Sequence, residues 1–144
     1  MSIQNRFHRT GLPARVLAIT AVLVFSSALL AAAPGKAMKG SRPYMTAIAH
    51  ARFAVNSTTV KMIQMHLHHV MNCLEGKHGE DFDLAAGNPC DGHGALETLK
   101  KGSPDWIRAE NAIKLARIGE HLRDEKPDHY VAEAVLAILT EGMH

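Results

Sequence analysis

The chain has 144 residues, of which 47% are hydrophobic and 21% charged, a balance that fits one globular domain. Three of its 16 basic residues lie within the first 33 positions, which contain no acidic residue, so the remainder holds 13 basic and 14 acidic side chains. This near-neutral remainder lacks the excess of positive charge that is typical of nucleic-acid-binding domains. Nucleic acid is therefore not expected as a partner.

The N-terminal segment has the features of an export signal. Three arginines precede an apolar run over residues 16–30, and small residues follow at 31–33. We predict a signal peptide over residues 1–33, cleaved between residues 32 and 37, and a periplasmic or secreted domain over residues 38–144. A retained membrane anchor is the alternative, because the whole uncharged run is just long enough to span a bilayer.

The two cysteines, Cys73 and Cys90, are 17 positions apart. An even pair in an exported chain predicts a disulfide, which would close the loop between them. The alternative is a metal-ligating thiolate. It is disfavoured at Cys73, because this residue lies in the last turn of a predicted helix, where the negative end of the helix dipole opposes a thiolate.

Hydrophobic periodicity predicts helices throughout the mature domain and no strand. The predicted helices cover residues 44–55, 58–74, 95–101, 104–123 and 128–140, with a long loop over 77–91. Asn56 or Ser57 is expected to cap the second helix, and one long bent helix over 44–75 is the alternative. The Lys126-Pro127-Asp128 stretch is expected to break the chain between the last two helices. These elements predict an all-α fold, an antiparallel four-helix bundle with one extra short helix.

The second helix carries two adjacent stripes of different chemistry. Ile63, Leu67 and Val70 form an apolar stripe, whereas Asn72 and His68 fall on the side expected to face solvent. Beside the apolar stripe, at helical spacing, lies a band of soft and borderline metal ligands: Met62, Met65, His66, His69 and Cys73.

His66 and His69 are three residues apart, so both imidazoles can reach one ion. Further ligands are expected from His50, Met62, Met65, His78 or His93. Imidazole together with thioether suits copper, and imidazole alone suits zinc or nickel. We predict a protein that binds a transition metal, with copper favoured over zinc and nickel. Its role would be metal buffering, sensing or delivery.

Three alternatives remain open at this stage. In a structural or interaction module, the Met and His residues would be core side chains, and the partner would be another exported protein. A helical bundle can also bind haem non-covalently, although only 5% of the residues are aromatic and no C-x-x-C-H motif is present. An enzyme is less favoured, because the chain contains no G-x-S-x-G, P-loop, dinucleotide-binding or H-E-x-x-H motif. The acidic run at Glu80, Asp81 and Asp83 is expected to be a solvated loop.

Overall fold

The computed structural model of the protein describes residues 41–143. This part of the chain is all-helical and contains no strand, as predicted. The elements are α1 Arg42–Asn56, α2 Val60–Glu75, a short 3₁₀ helix Ala95–Glu97, α3 Pro104–Gly119 and α4 Glu125–Thr140. The predicted signal peptide lies outside the described residues. Among residues 41–143, no helix combines the length and the apolar character that crossing a bilayer requires.

The break between α1 and α2 excludes the alternative of one long bent helix. The residues that end α1 and cap α2 differ from the prediction. The side chains of Asn56 and Ser57 donate to the carbonyl oxygens of residues 52 and 53, each at 2.8 Å, and so complete the end of α1. Thr59 caps α2 instead, since its hydroxyl accepts the backbone N–H of Met62 at 3.3 Å. The prediction that Asn56 or Ser57 caps α2 was wrong, because both side chains donate to carbonyl groups of α1 instead of accepting an N–H group of α2.

The last two helices are offset from their predicted bounds. α3 ends at Gly119, where the amide of Gln64 on α2 donates to the carbonyls of Gly119 at 3.2 Å and Leu122 at 2.9 Å. The Gln64 amide thereby bonds carbonyl groups that would accept backbone N–H groups if α3 continued. α4 begins before Pro127, which lies in its first turn and so needs no N–H partner. The short predicted helix over 95–101 is reduced to one 3₁₀ turn.

The core lies between the four helices: α1 and α3 each pack against both α2 and α4. Ala109, Ala112 and Ala116 of α3 are fully buried, and their small side chains allow the close approach of neighbouring helices. By contrast, Ile107 and Ile118 of the same helix are 48% and 53% exposed. The largest fully buried side chains are Tyr44, Ile48, Ile63, Leu67, Met71, Leu74 and Leu139.

The loop that follows α2 folds back onto the helices. The predicted disulfide between Cys73 and Cys90 is present. The acidic run is not simply solvated, because the Glu75 carboxylate accepts the N–H of Asp81 at 2.8 Å and Asp81 forms an ion pair with Arg117 of α3. This loop is therefore attached to both α2 and α3.

Asp128 is a buried carboxylate in the first turn of α4. It is fully buried, and neither carboxylate oxygen has a hydrogen-bond partner. Burial raises the pKa of Asp128 to about 6, and nearby His129 opposes this shift. Because this pKa is higher in the folded than in the unfolded chain, the carboxyl disfavours folding increasingly as the pH rises through about 6.

We expect Asp128→Asn to raise the free energy of unfolding at pH 7.5 by about 1–3 kcal/mol, because the amide cannot ionise and each unit by which burial raises a carboxyl pKa corresponds to about 1.4 kcal/mol. The gain should shrink as the pH is lowered towards 4, where Asp128 is protonated in the native state. Urea unfolding at several pH values measures this difference. Asp124→Asn, an exposed position at the start of the same helix, is the matched control and should change stability little. A gain that is independent of pH would contradict the proposed cause.

Candidate metal centre

Three histidines from α1 and α2 meet at the surface between these helices. His50 Nδ1 lies 3.3 Å from His66 Nδ1 and 3.2 Å from His69 Nδ1. Each of these side chains is half-buried, and one ligand atom from each lies within 4.8 Å of the others. We call these three residues the histidine group. It is close enough to hold one metal ion.

The loop after α2 determines the tautomer of His69. His69 Nε2 lies 2.7 Å from the carbonyl oxygen of Ala86. A carbonyl can only accept, so Nε2 carries the proton and the neutral ring presents a lone pair at Nδ1, the atom that faces His50. A ligating histidine in metalloproteins commonly donates its second ring N–H to a backbone carbonyl in this way.

Hydrogen bonds among the three rings can provide partners for only some of their Nδ1 atoms. A neutral imidazole has one N–H, and His69 already uses its proton at Nε2. A single N–H at His50 Nδ1 can be donated to Nδ1 of His69 or to Nδ1 of His66, but not well to both. A cation at a shared centre would accept lone pairs from all three Nδ1 atoms. Two nitrogens that are each about 2.0–2.1 Å from a tetrahedral ion lie roughly 3.3–3.4 Å apart. The two Nδ1–Nδ1 separations that involve His50, 3.3 and 3.2 Å, are close to this value.

Burial keeps the rings in the form that binds metal. Desolvation lowers the pKa of His50 to about 4, with further lowering by His69 and His66. The pKa of His66 is lowered too, first by burial and then by His69. These two imidazoles are therefore neutral at pH 7, and a metal ion does not have to displace protons from them.

Asn72 positions the loop that contacts His69, a role that its place on the helix did not reveal. It is fully buried, not solvated as predicted. Its amide donates to the carbonyls of Asp83 at 2.7 Å and Gly87 at 2.6 Å, and its oxygen accepts the Asp83 N–H at 2.9 Å. Helical periodicity shows the face on which a residue lies, but it does not show that a later loop covers this face.

Phe53 forms the outer edge of the site and was not identified from the sequence. Its ring centroid lies 5.6 Å from that of His50 and 5.4 Å from that of His66, yet the residue is 53% exposed. The signal in the sequence is its position three residues after His50, on the same side of α1.

The structure separates His93 from the histidine group. His93 lines a cavity at the start of α1, together with Arg42, Thr46 and Cys90. Met62 and Met65 precede His66 on α2; Met62 is 41% exposed and Met65 is half-buried. Their role as ligands stays a prediction. Cys73 is held in the disulfide.

His68 points away from the histidine group, but it is not simply solvated as predicted. Its Nδ1 lies 2.7 Å from a carboxylate oxygen of Glu120. Burial raises the pKa of Glu120 to about 7, with smaller contributions from Asp81 and Asp83. Burial also lowers the pKa of His68. Both shifts favour the neutral forms of this pair.

These features define the class: a small helical protein with a three-histidine site that can hold a metal ion. Comparison of the chain with protein-family models, with curated proteins and with solved structures found no match. The geometry of the histidine group therefore carries the functional conclusion.

Proposed function

We propose that this protein binds one transition-metal ion through His50, His66 and His69. The observation that carries the proposal is that His66 Nδ1 and His69 Nδ1 lie 3.3 and 3.2 Å from His50 Nδ1, with one ligand atom from each ring within 4.8 Å of the others. In a structural or interaction module without metal, each ring nitrogen would instead have its own protein acceptor. His69 Nε2 has such an acceptor, whereas the Nδ1 atoms face one another.

The same convergence favours a single ion over haem. Axial haem ligands approach iron from opposite faces of a large flat ring. Three imidazoles whose nitrogens point to one small volume leave no space for a porphyrin between them. Three imidazole nitrogens suit Cu(II), Zn(II) and Ni(II), and copper ranks first because Cu(II) forms the most stable complexes of the divalent series.

We further propose that the helices form an antiparallel bundle and that the protein acts outside the cytoplasm in metal buffering or delivery. Two contacts support the antiparallel orientation: Tyr44 at the start of α1 donates to the carbonyl of Leu139 at the end of α4, and Gln64 of α2 reaches the end of α3. The disulfide and the apolar N-terminal segment support export.

Isothermal titration of the purified protein with Cu(II), Zn(II) and Ni(II) tests metal binding. We expect one ion per chain, and His50→Ala or His66→Ala/His69→Ala should weaken binding by more than the roughly 10–100-fold typical of losing an outer-shell partner. His68→Ala is the matched control, because it removes a histidine from the same helix but leaves the histidine group intact. Equal, weak binding by wild type and the double variant would refute the proposal.

A further inference from the structure

The histidine group supplies three donors, one fewer than a tetrahedral ion needs. Within residues 41–143, no fourth His, Cys, Asp or Glu joins this group. Cys73 lies one turn after His69 on the same helix but is bonded to Cys90, and His93 lines a separate cavity. Side chains of these four types therefore leave the fourth position of the ion free.

Solvent can reach the histidine group. The three imidazoles are half-buried, whereas the neighbouring stripe of α2 that faces the core is fully buried at Ile63, Leu67 and Val70. Phe53, which lies against two of the rings, is itself half exposed. A small molecule can therefore approach the rings from the side opposite the core.

We propose that the bound ion keeps one coordination position for a small monodentate donor from outside the chain, such as water, azide or imidazole. This inference rests on the metal site proposed above, and it assigns no ligand role to Met62 or Met65. Both residues carry a soft thioether, which is a weak ligand for divalent ions such as Co(II) and Zn(II). Met62 also exposes 41% of its surface to solvent.

An open position has a functional consequence. Structural ions are typically enclosed by four protein ligands, whereas ions that react or exchange keep a position for water or substrate. An incoming donor can bind at that position before the histidines release the ion. This order of events suits delivery of the metal to an acceptor.

Cobalt(II) is the probe, because its visible d–d absorption reports the number and type of its ligands. The full-length protein is loaded with Co(II) and titrated with azide, and in a parallel series with imidazole. We expect either donor to shift the visible bands saturably, with one molecule bound per ion. Met62→Leu/Met65→Leu preserves side-chain volume and should give the same spectra and the same azide affinity; circular dichroism checks that it folds.

The outcomes separate the two proposals. Failure of the wild-type protein to bind Co(II), or identical bands in His66→Ala/His69→Ala, would refute the metal site itself. A cobalt spectrum that depends on these histidines but does not change with azide or imidazole would refute the open position alone. In that case, a spectral change in the methionine variant would identify a thioether as the ligand that closes the site.

Discussion

Removal of the disulfide by Cys73→Ala/Cys90→Ala should lower the free energy of unfolding by about 3 kcal/mol and also weaken metal binding. The first effect follows from the 17-residue separation that the bond closes, which restricts the unfolded chain. The second arises because the closed loop contains Ala86, whose carbonyl accepts the His69 N–H. Urea unfolding and metal titration of the same samples measure both effects.

Ile113→Ala separates the loss of stability from the loss of the loop. Ile113 is a core residue of α3, and its truncation should cost about 2–5 kcal/mol, a loss of stability comparable to that from removal of the disulfide. It does not belong to the histidine group or to the loop, so its metal affinity should equal that of wild type. Unchanged affinity in the double cysteine variant would show that the polar contacts of the loop with Asn72, Glu75 and Arg117 hold it against His69 without the disulfide.

Gly87→Ala should disturb the metal site directly. Gly87 has a φ of 114°, a conformation that residues with a side chain rarely adopt, and a Cβ at this position would lie 2.7 Å from His69 Nε2. The methyl group would therefore push the imidazole away from the Ala86 carbonyl. We expect a loss of stability of about 1–3 kcal/mol from the backbone strain. Metal affinity should fall by about 10–100-fold, as for other losses of an outer-shell partner.

Gly102→Ala is the matched control for this substitution. Gly102 also has a positive φ, of 78°, but a Cβ there would meet no atom within 4 Å. The change should destabilise the fold by about 1–2 kcal/mol through its backbone conformation, without altering metal affinity. Titration and unfolding of both variants provide the comparison. If both glycine variants bind metal like wild type, the position of His69 does not depend on its contact with the loop.

Local chemistry was sufficient to predict the four main helices, though not all of their bounds, and the disulfide. Ser103 followed by Pro104 marks the start of α3, and Gly76 marks the end of α2, because capping and backbone preferences act within a few residues. The proximity of His66 and His69 was equally predictable, since residues three positions apart on a helix are neighbours. The one pair of cysteines left only one intramolecular disulfide to consider.

Only the tertiary structure selected the third histidine and its environment. His50 belongs to a different helix, so its distance from His66 depends on how α1 packs against α2, and periodicity within either helix does not contain this information. The burial of Asn72 and the contact between Ala86 and His69 depend on the path of a loop that folds back over α2. The amino-acid sequence by itself thus determined the helices, the disulfide and one pair of candidate ligands. The packing of α1 and the loop on α2 decided which side chains share a site, because such contacts join residues distant along the chain.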